Sequence, residues 1–454
     1  MFSELATFLT HDKGRVGLVL PSGIWTDHGG QDLRKTWLLD ASWEWCYGFE
    51  NKRKIFPIHS MFKFATVIVD KGGRTESVRT AFMRHDVADW EQPTPPSAEV
   101  RVDAIRRFSP EILSLLELRG DRDLYLTDRI YADHPLLDQV VGSYGGQYSR
   151  EFNTTSDSRK FTSRRNLERD GIVEPGLDLR DPRARAKLRL AGYELLYEGK
   201  SIWLHDPYFL GRRTRASISK AVDHRVAEES LEGSPYDYPR IAFRHIASST
   251  NQRTLCVAVI PPSVHADSAS TLAGRRVPLS LAAVLGSLVL DYVTRMKVTT
   301  NMNWFHVGTL PVAVDLLDDG GSLELMVRQL NMLGSEFGDG ATAVVGARSR
   351  MAERLVLDAT VADGYALSLD DMTHIASRFP IYDKHAGDHA YPRLAVQVYS
   401  AFCQEGPKAA AEQAQALTRA RADAGWDFGL DEVYVPEGGW DKANAEARRI
   451  LEAG

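Results

Sequence analysis

The residues best suited to chemistry lie together in Arg240–Thr254, RIAFRHIASSTNQRT. Ile241, Phe243 and Ile246 favour a β-strand, on which Arg240 and Arg244, four apart, share one face. A loop of side-chain donors follows, Ser248 to Thr254, and then a second apolar run, Leu255 to Ile260. Two strands joined by such a loop can hold arginine against phosphate or guanine O6/N7, and asparagine against adenine N6/N7. Arg240, Arg244, Ser249, Asn251 and Arg253 are therefore candidate nucleic-acid contacts. The plainer reading of the same stretch is a polar hairpin tip.

Charge along the chain favours the first reading. Residues 151–300 carry 23 basic and 17 acidic side chains, whereas residues 301–454 carry 13 and 23. A basic middle within a chain of net charge −6 fits a localised polyanion-binding face. At 454 residues, 43% hydrophobic and 26% charged, the chain has ample core for two to four domains. Three isolated cysteines (Cys46, Cys256, Cys403) give neither a disulfide framework nor a zinc spacing, as expected in a reducing cytoplasm. The first residues have no signal-peptide pattern, and no apolar run of about 18 residues is present to span a membrane.

The elements that must position these residues begin with Val16–Leu20, a continuous apolar run of the kind found in a buried parallel strand. A helical pattern follows at Leu33, Trp37 and Leu38, then strands at Trp45–Phe49 and Phe62–Val69. Strand, helix, strand, strand is the closing half of a doubly wound sheet, which alone leaves an edge and a face uncovered. The Pro-rich segment 92–100 reads as a domain boundary, and Ser109-Pro110 as the start of a helix. Residues 121–137 give a second amphipathic helix, broken by Pro135, and 281–297 a strongly apolar one with Arg295 near its end.

Two longer phrases, GRVGLVLPSGIWTDHGGQDLRK and NKRKIFPIHSMFKFATVIVDKGG, resemble the late strands of N6-adenine DNA methyltransferases. The similarity is greatest to the large type IIG, BREX and DISARM enzymes of restriction–modification and phage defence. Four further phrases resemble that family's target-recognition domain in family order: REFNTTSDS, LLYEGKSI, RIAFRHIASSTNQRT and VTTNMNWFHVGTLPV. The resemblance implies a fold of class α/β plus α+β. An incomplete Rossmann-like methyltransferase half-sheet (1–92) is followed by a helical connector (93–141), a mixed target-recognition domain (142–312) and a helical C-terminal region (313–454). It also implies that Phe62 or Phe64 stacks on an extruded adenine, and that Arg150, Asn301 and Asn303 join the DNA contacts named above.

The family's Gly-rich cofactor turn and Asn-Pro-Pro-aromatic catalytic motif are not found in this sequence. Asp206-Pro207-Tyr208-Phe209 is only superficially similar: it lacks the second proline and follows the strands it should precede. No catalytic residue is therefore assigned to the chain. S-adenosylmethionine, implied by the resemblance, would be bound mainly by a partner chain, and the other partner is double-stranded DNA. The alternative is a non-catalytic DNA-binding specificity or adaptor subunit of a defence complex. Two competing patterns have the residue types of a metal site: Asp181 with Glu198-Gly199-Lys200, as in metal-dependent nucleases, and His385/His389 with Asp383 and Asp388. The first lies within a recognition-domain phrase and the second in a Gly/Pro loop, so no metal is expected.

Overall fold

The computed structural model describes the chain except residues 1, 177, 210–219, 232–236, 250, 299–300, 318–320, 332–333, 335–336, 338–345, 382–389 and 427. The His385/His389 pattern lies outside the described residues. The chain divides into two compact units, one of residues 1–137 and 293–311, the other of residues 138–292 and 312–454. The Pro-rich segment does not separate units: Ala98–Arg101 is a strand in the first unit's sheet.

The first unit opens with a helix, α1 (Phe2–Leu9), and is built on five strands: β1 (Arg15–Pro21), β2 (Ala41–Glu50), β3 (Lys63–Lys71), β4 (Ser77–Arg84) and β5 (Ala98–Arg101). Their order is β1-β3-β2-β4-β5. Strand β3 runs antiparallel to both β1 and β2, so those two share a direction and are linked through the helix Gln31–Leu39. Val67 of β3 lies between Leu18 of β1 and Cys46 of β2. The apolar run in β1, read from sequence as a buried parallel strand, is instead an edge strand with alternating exposure. Among the described residues it has one neighbouring strand, β3.

Helix and sheet meet through tryptophan. Trp37 packs edge-on against Trp43 at 5.2 Å, and both are buried, an arrangement that combines large apolar burial with favourable ring geometry. Arg34, on the same helix, is also buried; its guanidinium donates to the carbonyls of Ile24, Asp27 and Ile112 at 2.7–2.9 Å. Burial pulls its pKa down to about 10, so it stays charged at neutral pH. The helix expected from Ser109-Pro110 does not form. Val102–Phe108 is helical, and Leu113, Leu115, Leu116 and Leu118 follow as a buried irregular segment. Its backbone bonds go elsewhere, Leu115 N–H to Trp25 and Glu117 N–H to Met296. The apolar residues there are too dense to leave a helix a solvent face.

The second unit contains two four-stranded sheets. One has the order β11-β10-β13-β6, from β6 (Gln147–Ser149), β10 (Arg240–Arg244), β11 (Val257–Ile260) and β13 (Ala269–Ala273). The other has the order β12-β8-β9-β7, from β7 (Phe161–Ser163), β8 (Tyr193–Tyr197), β9 (Lys220–Asp223) and β12 (Val264–His265). The expected strand pair exists: β10 runs antiparallel to β11 from Arg240↔Ile260 to Phe243↔Val257. Tyr197, Ala242, Ala258, Ile260 and Ala269 share one core with Tyr208 and Trp440. The C-terminal helices belong to this unit. Trp440–Glu452 packs on Pro182–Leu190, and Ala347–Gly364 packs against Tyr391–Glu405 and Pro407–Asp423. The molecule is thus a mixed α/β protein of small mixed sheets with C-terminal helices.

The apolar stretch 281–297 is two helices, Leu281–Gly286 and Leu288–Lys297. No helix among the described residues is long and apolar enough to cross a membrane. The helix Leu369–Ser377 begins where the sequence indicates, at a capping box in which Ser368 Oγ accepts the Asp371 N–H at 3.1 Å and Asp371 accepts the Ser368 N–H at 2.9 Å. Ser368→Ala is expected to cost about 1 kcal/mol, read as a lower urea midpoint with an unchanged slope.

Candidate nucleic-acid interface

The structure separates the arginines of β10 and its loop into two kinds. Arg240 and Arg253 are fully buried, which corrects the expectation that they face a duplex. Arg240 is held by the Glu151 carboxylate and the Ser263 carbonyl. Glu151 also accepts the His265 backbone N–H at 2.9 Å, so a side chain 89 residues upstream anchors the strand. Burial alone would raise the Glu151 carboxyl, but His265 and Arg240 outweigh it and hold it below its usual value. His265 is pushed down to about 4, chiefly by burial, and is neutral at pH 7. Arg253 sits on Asp291 at 2.6 Å and donates to the carbonyls of Gly286 and Ser287. Buried charges must be paired in this way, and paired charges of this depth are structural.

Arg150 and Arg244 lie at one end of the second unit's β11-β10-β13-β6 sheet, where three sequence-distant segments meet. Arg150, just past β6, donates through Nε to Tyr148 Oη at 2.7 Å, and Tyr148 Oη donates to Ser270 Oγ at 3.0 Å. Arg150 Nη2 is 3.4 Å from His245 Nδ1, beyond the end of β10. The loop after Arg150 is pinned by Asp267, which accepts from Asn153 Nδ2 at 3.1 Å and Thr154 Oγ1 at 3.0 Å. Asn153 Oδ1 in turn accepts the Thr155 and Ser156 N–H groups, both at 2.9 Å. A third segment joins through Ser268, whose Oγ accepts the Gly199 N–H at 3.1 Å and whose carbonyl accepts the His245 N–H at 3.0 Å. Beside it, Lys200 and Lys220 flank the nearly buried Glu198 carboxylate at 2.9 and 3.2 Å. Two cations against one carboxylate leave a net positive charge.

Arg244 is half-buried with its guanidinium carbon over the Trp203 ring, 4.9 Å from the centroid, a cation–π contact. Ser249 is buried, and Asn251 is exposed on a turn closed by its own N–H to the Ser248 carbonyl at 3.0 Å. Sequence reasoning missed Tyr148 and His245, and gave Lys200 only as part of a nuclease-like pattern. Nothing local in the sequence reveals that Asp267 and Ser268 draw the phrases around them together.

Asn301 and Asn303 belong to the first unit, not to the one that holds Arg150. Asn301 is exposed, while Asn303 starts the turn Trp304–Val307, with its N–H on His306 Nδ1 at 3.3 Å. The two phenylalanines also part. Phe64 is in the core, stacked on Phe49 at 5.3 Å, whereas Phe62 is 48% exposed. Phe62 closes the loop after β2, and buried Asn51 fixes that loop, its Nδ2 donating to the Phe56 and Ile58 carbonyls at 2.9 and 3.1 Å. Phe56, Ile58 and Met61 are exposed on the same loop.

The nuclease-like pattern does not assemble. Asp181 caps Pro182–Leu190 and pairs with Arg183, and Glu198 is taken by the two lysines. No cluster of three or more His, Cys, Asp or Glu side chains able to hold a metal is found among the described residues. Asp206 lies in a buried turn, accepting the Tyr208 N–H at 2.8 Å, so Asp-Pro-Tyr-Phe is interior structure.

No protein-family model and no curated protein matches the chain. Among solved structures it is similar to the type IIL restriction–modification enzyme MmeI in complex with DNA, with 8% identity and a TM-score of 0.40 over 83% of this chain and 51% of that one. It is also similar to the type IIG restriction endonuclease BpuSI, with 12% identity and a TM-score of 0.28 over 93% of this chain and 49% of that one. The chain therefore spans about half the length of either.

Proposed function

We propose that this chain is the DNA sequence-recognition part of an N6-adenine DNA methyltransferase of a restriction–modification or phage-defence system, acting with a partner polypeptide that carries the cofactor and catalytic motifs. The observation that carries the reading is the convergence of segments 148–154, 198–201 and 244–251 on one cation-bearing rim of the second unit. Arg150, Lys200 and Lys220 supply phosphate contacts, while Arg244, His245 and Asn251 supply donors for base edges. Methylating adenine N6 requires the base to leave the stack and rest on an aromatic surface. The exposed Phe62, on the loop that Asn51 fixes, suits that role, and the buried Phe64 does not.

S-adenosylmethionine would be bound mainly by the partner: β1 and the strands after it resemble the family's late strands, and the Gly-rich cofactor turn and Asn-Pro-Pro-aromatic motif that precede such strands are not found in this sequence.

Duplex affinity measured against salt tests the reading. Wild type is expected to bind with a steep negative slope of log K against log salt. Arg150→Ala and Lys200→Ala should each reduce that slope by about 1 without changing the unfolding midpoint. A chain that binds no duplex at low salt would refute the recognition role. Duplex binding with no methylation in any mixture would leave the adaptor reading in its place.

A further inference from the structure

We propose that the outer edge of β1 and the outward face of α1 form the docking surface for the partner polypeptide, which adds a strand alongside β1. The inference rests on the proposed division of the enzyme between two polypeptides.

The first observation is that α1 is turned inside out. It buries Ser3 and Thr7, with Thr7 Oγ1 accepting the Trp37 indole N–H at 3.1 Å. Phe2, Leu5, Phe8 and Leu9 are 52–76% exposed. Their spacing places them together on one helical face, opposite to the arrangement of an ordinary surface helix. The helix is held in this orientation by Lys71, whose ammonium donates to the carbonyls of Phe8 and Thr10.

The second observation is the adjoining strand. β1 pairs with β3 without interruption from Arg15↔Asp70 to Pro21↔Phe64, and no strand lies on its other side among the described residues. Edge strands in proteins that stay alone are blunted by an internal lysine, proline or bulge. Between its ends β1 reads Val16-Gly17-Leu18-Val19-Leu20, with no charge, no proline and no bulge.

The chemistry of the two surfaces selects the occupant. The strand edge needs donors and acceptors in alternation, which lipid does not supply and another strand does. Neither the exposed face of α1 nor the central run of β1 carries a cation, so a nucleic acid has nothing to bind there. The apolar helix face needs apolar cover. An α/β sheet edge offers both at once, and the cofactor-binding sheet of the proposed partner would present such an edge.

The test mixes the full chain with a polypeptide that carries the family's cofactor and catalytic motifs, and follows complex formation by sedimentation and amide exchange. A 1:1 complex with slowed exchange at Val16–Leu20 is expected. The double variant Leu5→Glu/Phe8→Glu and, separately, Val19→Lys should each weaken it at least about tenfold, because they charge a buried apolar interface. Both should leave duplex binding by the chain alone unchanged. No wild-type complex, a complex indifferent to the variants, or a self-dimer that the variants dissociate would each overturn the inference. Duplex binding reports separately: if it persists while the complex fails, only the docking surface is wrong.

Discussion

Arg253→Ala is expected to destabilise the second unit by about 3–5 kcal/mol, the range for breaking a buried, hydrogen-bonded ion pair by removing one partner. Both side chains of the Arg253–Asp291 pair are fully buried. The guanidinium satisfies the last carbonyls of Leu281–Gly286, while Asp291 also receives the Thr254 and Leu255 N–H groups at 3.0 and 3.3 Å. Alanine would leave a carboxylate buried without its countercharge and two carbonyls without donors, at the point where the β10–β11 loop is fastened to the helices. A large fall in the urea midpoint is expected, with duplex affinity of the remaining folded protein retained. An unchanged midpoint with lost duplex binding would instead place this guanidinium on DNA.

The second large effect is a pH dependence in the first unit. Lys297 is buried; its ammonium donates to the Phe108 carbonyl at 2.5 Å and Thr309 Oγ1 at 2.7 Å, and burial pulls its pKa down to about 7. In the unfolded chain the same group holds its proton to about pH 10.4. Between those values the unfolded state binds more protons, so this group's contribution to stability rises with pH and is lost as pH falls toward 7. The slope approaches about 1.4 kcal/mol per pH unit above pH 8, giving roughly 2 kcal/mol between pH 7 and 9. Comparison with Lys297→Met isolates it from other titrations. Wild type should gain on the variant across that window, and a constant difference would show that Lys297 stays charged in the fold.

Much of the secondary structure was legible because it depends on local periodicity. The β10–β11 pair, the helix at 31–39, strands β2 and β3, and the Ser368 cap all follow from alternation, turn residues and capping chemistry. The inverted helix α1 was not read from the sequence, because periodicity says nothing of which face a neighbour will cover. The loop at Phe62 was harder to read. Residues 62 and 64 share a face only if both are in the strand, and the strand starts at Lys63, which frees Phe62 to point outward.

The sequence by itself determined the alternation that builds the strands, the basic middle, and the phrases resembling methyltransferase recognition. Only the tertiary structure decided which arginines are interior and which segments form the rim. Glu151 and Asp291 reach Arg240 and Arg253 across 89 and 38 residues, and Asp267 reaches Asn153 across 114. Whether a charge is solvated or paired is a property of the neighbours the fold supplies, and those neighbours are set by long-range packing, to which local spacing is blind.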